Sequence, residues 1–157
     1  MTGRAAAAGR LQVQGTCVAL DGLGLLLRGP SGAGKSDLAL RLIDAGGALV
    51  TDDLCEIRRD GGRLLADLPA GVDPSFRGRI EARGLGLLTV PYVGPVPLVL
   101  VVDLRPGGAP ERLPEPAEVQ YLGLALPLVV LDPFQASAAA RLRLVARQLA
   151  KTIMRPP

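Results

Sequence analysis

One eight-residue stretch constrains this chain more than any other part of it. It reads Gly29-Pro30-Ser31-Gly32-Ala33-Gly34-Lys35-Ser36. This fits the phosphate-binding loop (P-loop) pattern G-x-x-x-x-G-K-S/T. Glycines let backbone N–H groups approach phosphate oxygens, Lys35 can bring a cation to the β- and γ-phosphates, and the Ser36 hydroxyl can ligate Mg²⁺. The pattern therefore predicts a nucleoside triphosphate site.

The sequence around residues 29–36 supplies the strand and the helix that a P-loop requires. Leu25-Leu26-Leu27 form a short apolar run before it, and residues 36–43 place apolar side chains at helical spacing after it. Bound phosphate would then lie at a helix N-terminus, where free N–H groups and the helix dipole favour negative charge. The chain has only two lysines, Lys35 and Lys151, among its 18 basic residues, and arginine occupies the other basic positions. A lysine at the motif position is therefore evidence for a genuine P-loop.

Composition limits the class of protein. With 157 residues and 48% hydrophobic residues, we predict one globular domain over 10–157, preceded by a disordered tail over 1–9. The net charge of +3 and the lack of a dense basic run with aromatics argue against a nucleic-acid partner. No apolar run reaches the length of about 18 residues that spans a membrane. Cys17 and Cys55 are isolated and histidine is absent, so the sequence predicts free thiols, no zinc site and a cytoplasmic location.

The order of predicted elements alternates strands with helices and loops. Asp21-Gly22 predicts a hairpin that leads into the P-loop strand, and residues 59–63 predict a second hairpin. We predict strands over 11–20, 48–51, 98–104 and 128–131, loops over 66–78 and 105–118, and a last helix over 135–153. The fold class that follows is α/β.

Acidic residues follow two of the predicted strands. Asp52 and Asp53 end the strand over 48–51, and Asp103 ends the strand over 98–104. Phosphoryl transfer to a hydroxyl needs an acid to hold Mg²⁺ and a base to accept the hydroxyl proton. If Asp52 and Asp53 lie on a strand, they point to opposite faces and do different jobs. Spacing alone leaves Asp103 as a competing Mg²⁺ ligand, and it leaves a turn-capping role open for Asp52 and Asp53.

Three further charged residues are ambiguous on spacing alone. Glu81 and Arg83 flank a glycine-rich turn and could bind metal and phosphate, although spacing alone favours a surface ion pair. Arg112 lies in a proline-rich loop, where a solvated charge is the simpler interpretation.

Taken together, these motifs resemble one family, the bifunctional HPr kinase/phosphorylase. The P-loop followed by Asp37, the segment Val50-Thr51-Asp52-Asp53, and the segment Ile80 to Gly86, which reads Ile-Glu-Ala-Arg-Gly-Leu-Gly, match three family motifs in order. The resemblance covers about residues 10–140 and is closest to the short form found in some proteobacteria, which has the catalytic domain only.

The resemblance implies a fold, a reaction and a set of roles. The fold would be a P-loop domain similar to the phosphoenolpyruvate carboxykinase core, with a mixed sheet and flanking helices. Lys35 would bind phosphate, Ser36, Glu81 and Asp52 would serve the metal, Asp53 would be the general base, and Arg112 would stabilise phosphate charge. The cofactors would be ATP and Mg²⁺. The acceptor would be a serine of the phosphocarrier HPr, and the enzyme would be a hexamer that regulates the phosphotransferase system.

This chain departs from the family at three sites. One is the stretch over residues 105–116, which contains Arg112 and bears little likeness to the family. Gln14 stands where the family has a histidine, and glutamine cannot titrate. Residues 131–137 differ from the family segment linked to dephosphorylation, so kinase activity is predicted more strongly than phosphorylase activity. Two alternatives remain open: a small-molecule kinase or ATPase that uses Asp103, and a module that senses ATP without transferring phosphate.

Overall fold

The computed structural model describes residues 3–7, 9–108 and 112–153. These residues contain twelve β-strands and two α-helices. The strands are β1 (Gly3–Ala7), β2 (Arg10–Gln14), β3 (Thr16–Leu20), β4 (Leu23–Arg28), β5 (Ala48–Thr51), β6 (Leu54–Asp60), β7 (Arg63–Asp67), β8 (Arg79–Ala82), β9 (Gly86–Thr89), β10 (Val96–Leu104), β11 (Ala117–Tyr121) and β12 (Leu124–Leu131). The helices are α1 (Lys35–Asp44) and α2 (Ala138–Ile153), and Pro74–Phe76 form one turn of 3-10 helix. The predicted mixed α/β class is confirmed. Neither helix is long and apolar enough to cross a membrane.

Ten of the strands form one mixed sheet that divides into two halves at β10. The antiparallel half contains β1, β2, β6 and β7, and Val96 and Pro97 at the start of β10 pair with β7. The mixed half has the order β5-β3-β4-β10-β12-β11. Strands β8 and β9 form a separate hairpin, and β8 packs against α1.

Two continuous segments of the chain, β2 with β3 and β5 with β6, each run from one half of the sheet to the other. Both segments bend at the same level. β2 and β3 are separated only by Gly15, and β5 and β6 only by Asp52 and Asp53. The sequence predicted one strand over 11–20, which is wrong because the chain kinks at Gly15. A Cβ at Gly15 would lie 2.8 Å from Leu27 O, so only glycine fits there. Gly15 N instead donates to Asp53 O at 3.0 Å, which fixes the two bends together.

The parallel strands of the mixed half direct their carboxyl ends to one edge of the sheet. β4 is parallel to β10, and β10 is parallel to β12. Because β3 is antiparallel to both β4 and β5, β5 also runs in this direction. Ligands of α/β sheets bind outside the carboxyl ends of such strands. The P-loop, Asp52 and Asp53, and the loops after β10 and β12 therefore all begin at one edge, which we call the ligand edge.

Buried side chains form a core on each face of the mixed half. On one face, Leu25 and Leu27 of β4 and Leu100 of β10 pack with Leu38 and Leu42 of α1. On the other face, Leu26 and Val101 pack against the antiparallel half. This explains why β4 and β10 read as continuous apolar runs, as strands covered on both faces do.

The two cysteines belong to the second of these cores and lie side by side. Cys17 and Cys55 are free thiols with no exposed surface. A hydrogen bond with Cys55, together with burial, raises the pKa of the Cys17 thiol well above its usual value. The Cys17 thiol is therefore a protonated packing group in the folded protein.

Three other sequence predictions differ from the structure. The tail over 1–9 was expected to be disordered, but Gly3–Ala7 pair with β2. The last helix begins at Ala138 rather than at residue 135. The loop predicted over 105–118 includes the first two residues of β11, and the hairpin of β11 with β12 is not predicted. Its turn is Leu122-Gly123, both at positive φ, and leucine gives no sequence signal for such a turn.

Candidate active site

The P-loop joins β4 to α1 at the centre of the ligand edge. Gly32 and Gly34 have φ values of 82° and 96°, a region that favours glycine. Ala33 N donates to Pro30 O at 3.0 Å and closes the loop on itself. Gly34 is the N-cap of α1 and provides no side-chain cap, so the first N–H groups of the helix have no side-chain acceptor. The predicted strand, loop and helix context is confirmed, and this arrangement suits a polyphosphate anion.

Lys35 is the first residue of α1, and its side chain folds back over the loop. Its Nζ donates to Gly29 O at 2.6 Å and to Pro30 O at 3.0 Å. An ammonium group has three donors, so these two carbonyls hold the cation over the loop and leave one donor for an anion.

Asp52 is fixed by two hydroxyl groups. Thr16 Oγ1 donates to Asp52 Oδ1 at 2.9 Å, and Ser36 Oγ donates to the same oxygen at 3.3 Å. Thr16 is 1% exposed, at the start of β3, the strand between β4 and β5 in the sheet. The structure thus brings together Ser36 and Asp52, two of the three predicted metal ligands. Hydroxyl and carboxylate oxygens are the donors that Mg²⁺ prefers, so this pair fits the ion.

Asp53 occupies a strained turn rather than a strand. Leu54 N donates to Asp52 O at 2.9 Å, which places Asp53 at the centre of a three-residue turn with φ 74°. The expectation that Asp52 and Asp53 alternate on one strand is therefore wrong, because the chain leaves β5 after Thr51. Positive φ at a residue other than glycine costs about 1–3 kcal/mol and is found often at functional sites. The turn exposes the Asp53 side chain at the ligand edge.

Asp103 takes part in a different interaction. Arg28 Nε donates to Asp103 Oδ1 at 2.7 Å and Arg28 Nη2 donates to Oδ2 at 2.9 Å, a bidentate ion pair between β4 and β10. Arg28 Nη1 also donates to the hydroxyl of the buried Tyr121 at 2.8 Å. The Asp103 carboxylate raises the pKa of Arg28 above its usual value, and burial raises the pKa of Tyr121. Both carboxylate oxygens of Asp103 are thus occupied by Arg28. The position of Asp103 after an apolar strand is explained by this ion pair and no longer indicates a metal ligand.

Glu81 and Arg112 have exposed side chains. In β8 the side chains of Ile80 and Ala82 are buried, so Glu81 faces solvent on the alternate positions. Arg112 lies in the connection between β10 and β11. Over residues 9–108 and 112–153, neither side chain forms an ion pair or a hydrogen bond. The described side chains contain no cluster of three or more His, Cys, Asp or Glu that would hold a metal by themselves.

A segment outside the predicted site, residues 132–134 after β12, packs on the P-loop. Asp132 Oδ1 accepts from Phe134 N at 3.0 Å, and Asp132 Oδ2 accepts from Gly107 N at 3.2 Å. A Cβ at Gly34 would lie 3.0 Å from the ring of Phe134 and 3.0 Å from Pro133 Cγ. Arg41 of α1 donates to Pro133 O. The segment after β12 therefore supports the P-loop from the side opposite Asp52.

The family of this chain follows from its sequence match. The model of the HPr serine kinase C-terminal domain matches residues 5–93, which include the P-loop, Asp52, Asp53 and the β8–β9 hairpin. The chain belongs to the HPr kinase C-terminal domain family.

Individual relatives agree with the family. The HPr kinase/phosphorylases of Burkholderia lata and Burkholderia cenocepacia are each 37% identical over 134 residues, which cover 78% of this chain and 40% of theirs. The chain thus spans about two-fifths of the length of the curated relatives it matches. The HPr(Ser) kinase/phosphatase from Coxiella burnetii has the same fold, with a TM-score of 0.76 and 22% identity over 90% of this chain and 92% of that one.

Proposed function

We propose that this HPr kinase C-terminal domain transfers the γ-phosphoryl group of ATP to a serine of the phosphocarrier HPr. The observation that carries the proposal is the pairing of the P-loop with the Thr16–Asp52–Ser36 network and the strained Asp53 turn at one sheet edge. The names of the relatives at 37% identity support HPr as the acceptor. The ion pair of Asp103 with Arg28 argues against a small-molecule kinase that uses Asp103 for Mg²⁺.

Each predicted residue has a part in this proposal. The N–H groups of residues 29–36 and the Lys35 ammonium would bind the β- and γ-phosphates. Ser36 and Asp52 would hold Mg²⁺, with Glu81 as a further ligand, and Arg112 would stabilise charge on the transferred group. Mg²⁺, when bound, neutralises phosphate charge and orients the oxygens.

Asp53 would act on the acceptor rather than on ATP. Its exposed carboxylate accepts the proton of the serine hydroxyl as the serine oxygen bonds to phosphorus and the bond to the ADP oxygen breaks. In the reverse direction, with phosphate as acceptor, the same carboxyl group returns that proton to the serine oxygen. Gln14 ends β2 beside Gly15, whose N–H binds Asp53 O, so it lies next to this base but cannot carry a proton.

We also propose where HPr docks, where in the cell the reaction takes place and how the protein assembles. HPr would dock at the ligand edge, and we propose a cytoplasmic location because Cys17 and Cys55 are unpaired thiols. A homo-oligomer, with the hexamer of the family as the expected size, is part of the proposal, as is regulation of the phosphotransferase system.

Intact-mass spectrometry of HPr tests the proposed reaction directly. HPr from the same organism, incubated with this protein, ATP and Mg²⁺, should gain the mass of one phosphoryl group. Replacement of the acceptor serine of HPr by alanine should remove the gain. ATP binding without any change in the mass of HPr would instead favour an ATP-sensing module or another acceptor.

The hydroxyl of Thr16 should matter for Mg²⁺ although it is too buried to bind the ion itself. Thr16→Val keeps the shape but removes the donor to Asp52 Oδ1, so the carboxylate loses its orientation. Loss of such a supporting hydrogen bond typically weakens metal affinity by about 10- to 100-fold. A Mg²⁺ titration of HPr phosphorylation at saturating ATP measures this. Thr152→Val, which removes a hydroxyl near the end of α2, is the control and should leave the titration unchanged.

A further inference from the structure

A groove of about 600 Å³ opens at the ligand edge, where β10 and β12 end. It is lined by residues 128–132 at the end of β12, residues 114–117 before and at the start of β11, and Arg105 and Gly108 after β10. Pockets for small molecules typically measure about 300–1,000 Å³, so the groove is large enough for one. No role assigned so far to the P-loop, Asp52 or Asp53 uses it.

The order of strands places this groove opposite the acids. Along the ligand edge, Asp52 and Asp53 follow β5, the P-loop follows β4 in the middle, and the groove follows β10 and β12. A triphosphate that crosses the P-loop has its γ-phosphate at one end and its nucleoside at the other. Because the metal ligand and the proposed base act on the γ-phosphate, that end faces Asp52 and Asp53. The nucleoside end must then extend over β10 towards β12.

The chemistry of the groove suits a nucleoside better than a phosphate. Its lining is mostly apolar, as in Leu128 and Val130, with charged groups supplied by Arg105, Glu115 and Asp132. Apolar walls with a few polar groups fit the faces and edges of a base and the ribose hydroxyls.

Phe134 adds an aromatic surface between the groove and the P-loop. Its ring lies against Gly34 and is 60% exposed, and its N–H binds Asp132, which lines the groove. Only four aromatic residues occur in the chain, two Phe and two Tyr. An exposed ring at this junction provides a face on which a base can stack.

We infer that this groove, with Phe134 at its P-loop end, holds the nucleoside of ATP while the P-loop holds the phosphates. The inference rests on the proposed function, because it takes the γ-phosphate to be the end that faces Asp52 and Asp53. It predicts that the enzyme distinguishes ATP from inorganic tripolyphosphate through Phe134 and Val130, whose apolar side chains offer no hydrogen-bond donor to phosphate.

Calorimetric titration with Mg²⁺ and either ATP or tripolyphosphate tests the inference. Wild-type protein should bind ATP more tightly than tripolyphosphate. Phe134→Ala removes the stacking surface and should weaken ATP between about fivefold and a hundredfold, the range of base–aromatic stacking. Because Phe134 also packs on Gly34, tripolyphosphate should weaken too, but by a clearly smaller factor. Phe134→Tyr should restore ATP affinity. Val130→Trp, which fills the groove, should also weaken ATP alone.

Leu144 provides matched controls because it is 59% exposed on the outer face of α2. Leu144→Ala and Leu144→Trp should leave both titrations unchanged. Equal weakening of ATP and tripolyphosphate in the Phe134 and Val130 variants would overturn the inference, since the effect would then pass through the P-loop. Unchanged ATP affinity with a raised KM for HPr would also overturn it and assign the groove to the acceptor. If wild-type protein binds neither ligand, the proposed function itself fails.

Discussion

Asp53→Asn is expected to reduce phosphorylation of HPr by about 100- to 10,000-fold, the usual contribution of a general base. Asparagine has nearly the same shape but cannot accept the serine proton. It also tolerates positive φ better than most residues, so the turn at φ 74° should persist. ATP affinity should be unchanged because Lys35 and the P-loop N–H groups are untouched. Single-turnover phosphorylation, followed by intact mass, measures the loss.

Asp44→Asn is the matched control for this substitution. Asp44 is an exposed carboxylate at the end of α1, away from the ligand edge, and its removal changes net charge by the same amount. The control should phosphorylate HPr at the wild-type rate. If Asp53→Asn also retains that rate while the protein is folded, the base is not Asp53. Asp53→Ala is a poorer test, because alanine at positive φ costs about 1–2 kcal/mol and confuses catalysis with turn stability.

The parts of the site that were predicted correctly are those encoded by neighbouring residues. The P-loop needs only a strand, eight residues and a helix in succession, so residues 25–43 determine its local structure. The hairpin at Asp21-Gly22 was likewise readable, because both turn residues are of types that accept positive φ. Local sequence suffices when the interaction partners are a few positions apart.

The parts that were missed depend on partners distant in the chain. Thr16 binds Asp52 across 36 positions, and this contact exists only because β3 pairs with β5. The kink at Gly15 requires the packing of Leu26 and Leu27 beneath it. Without the register of these strands, Gly15 and Thr16 look like ordinary members of one strand over 11–20. Asp103 was misleading for the same reason. It follows an apolar strand, as many metal ligands do, but its partner is Arg28, which is 75 positions away in the chain.

That ion pair leads to the second large effect, which is on stability rather than catalysis. Asp103→Ala should lower the free energy of unfolding by about 1–3 kcal/mol, because it leaves the Arg28 guanidinium without its bidentate acceptor. Arg28 is 19% exposed, while Asp103 is 34% exposed, so solvent screening keeps the loss below that of a fully buried pair. Urea denaturation measures the change, and at about 2–4 °C per kcal/mol the melting temperature should also fall.

Asp60 offers the matched comparison, since its ion pair with Arg63 has side chains 58% and 60% exposed at 3.4 Å. Asp60→Ala should cost less than about 1 kcal/mol, as surface pairs do. At a temperature where both variants are folded, each should phosphorylate HPr with the Mg²⁺ dependence of the wild type. A lost Mg²⁺ response in Asp103→Ala without loss of stability would reverse the assignment, because Asp103 would then be a metal ligand. The stability measurement and the Mg²⁺ titration together separate an ion pair that holds β4 to β10 from an acid that serves the phosphates.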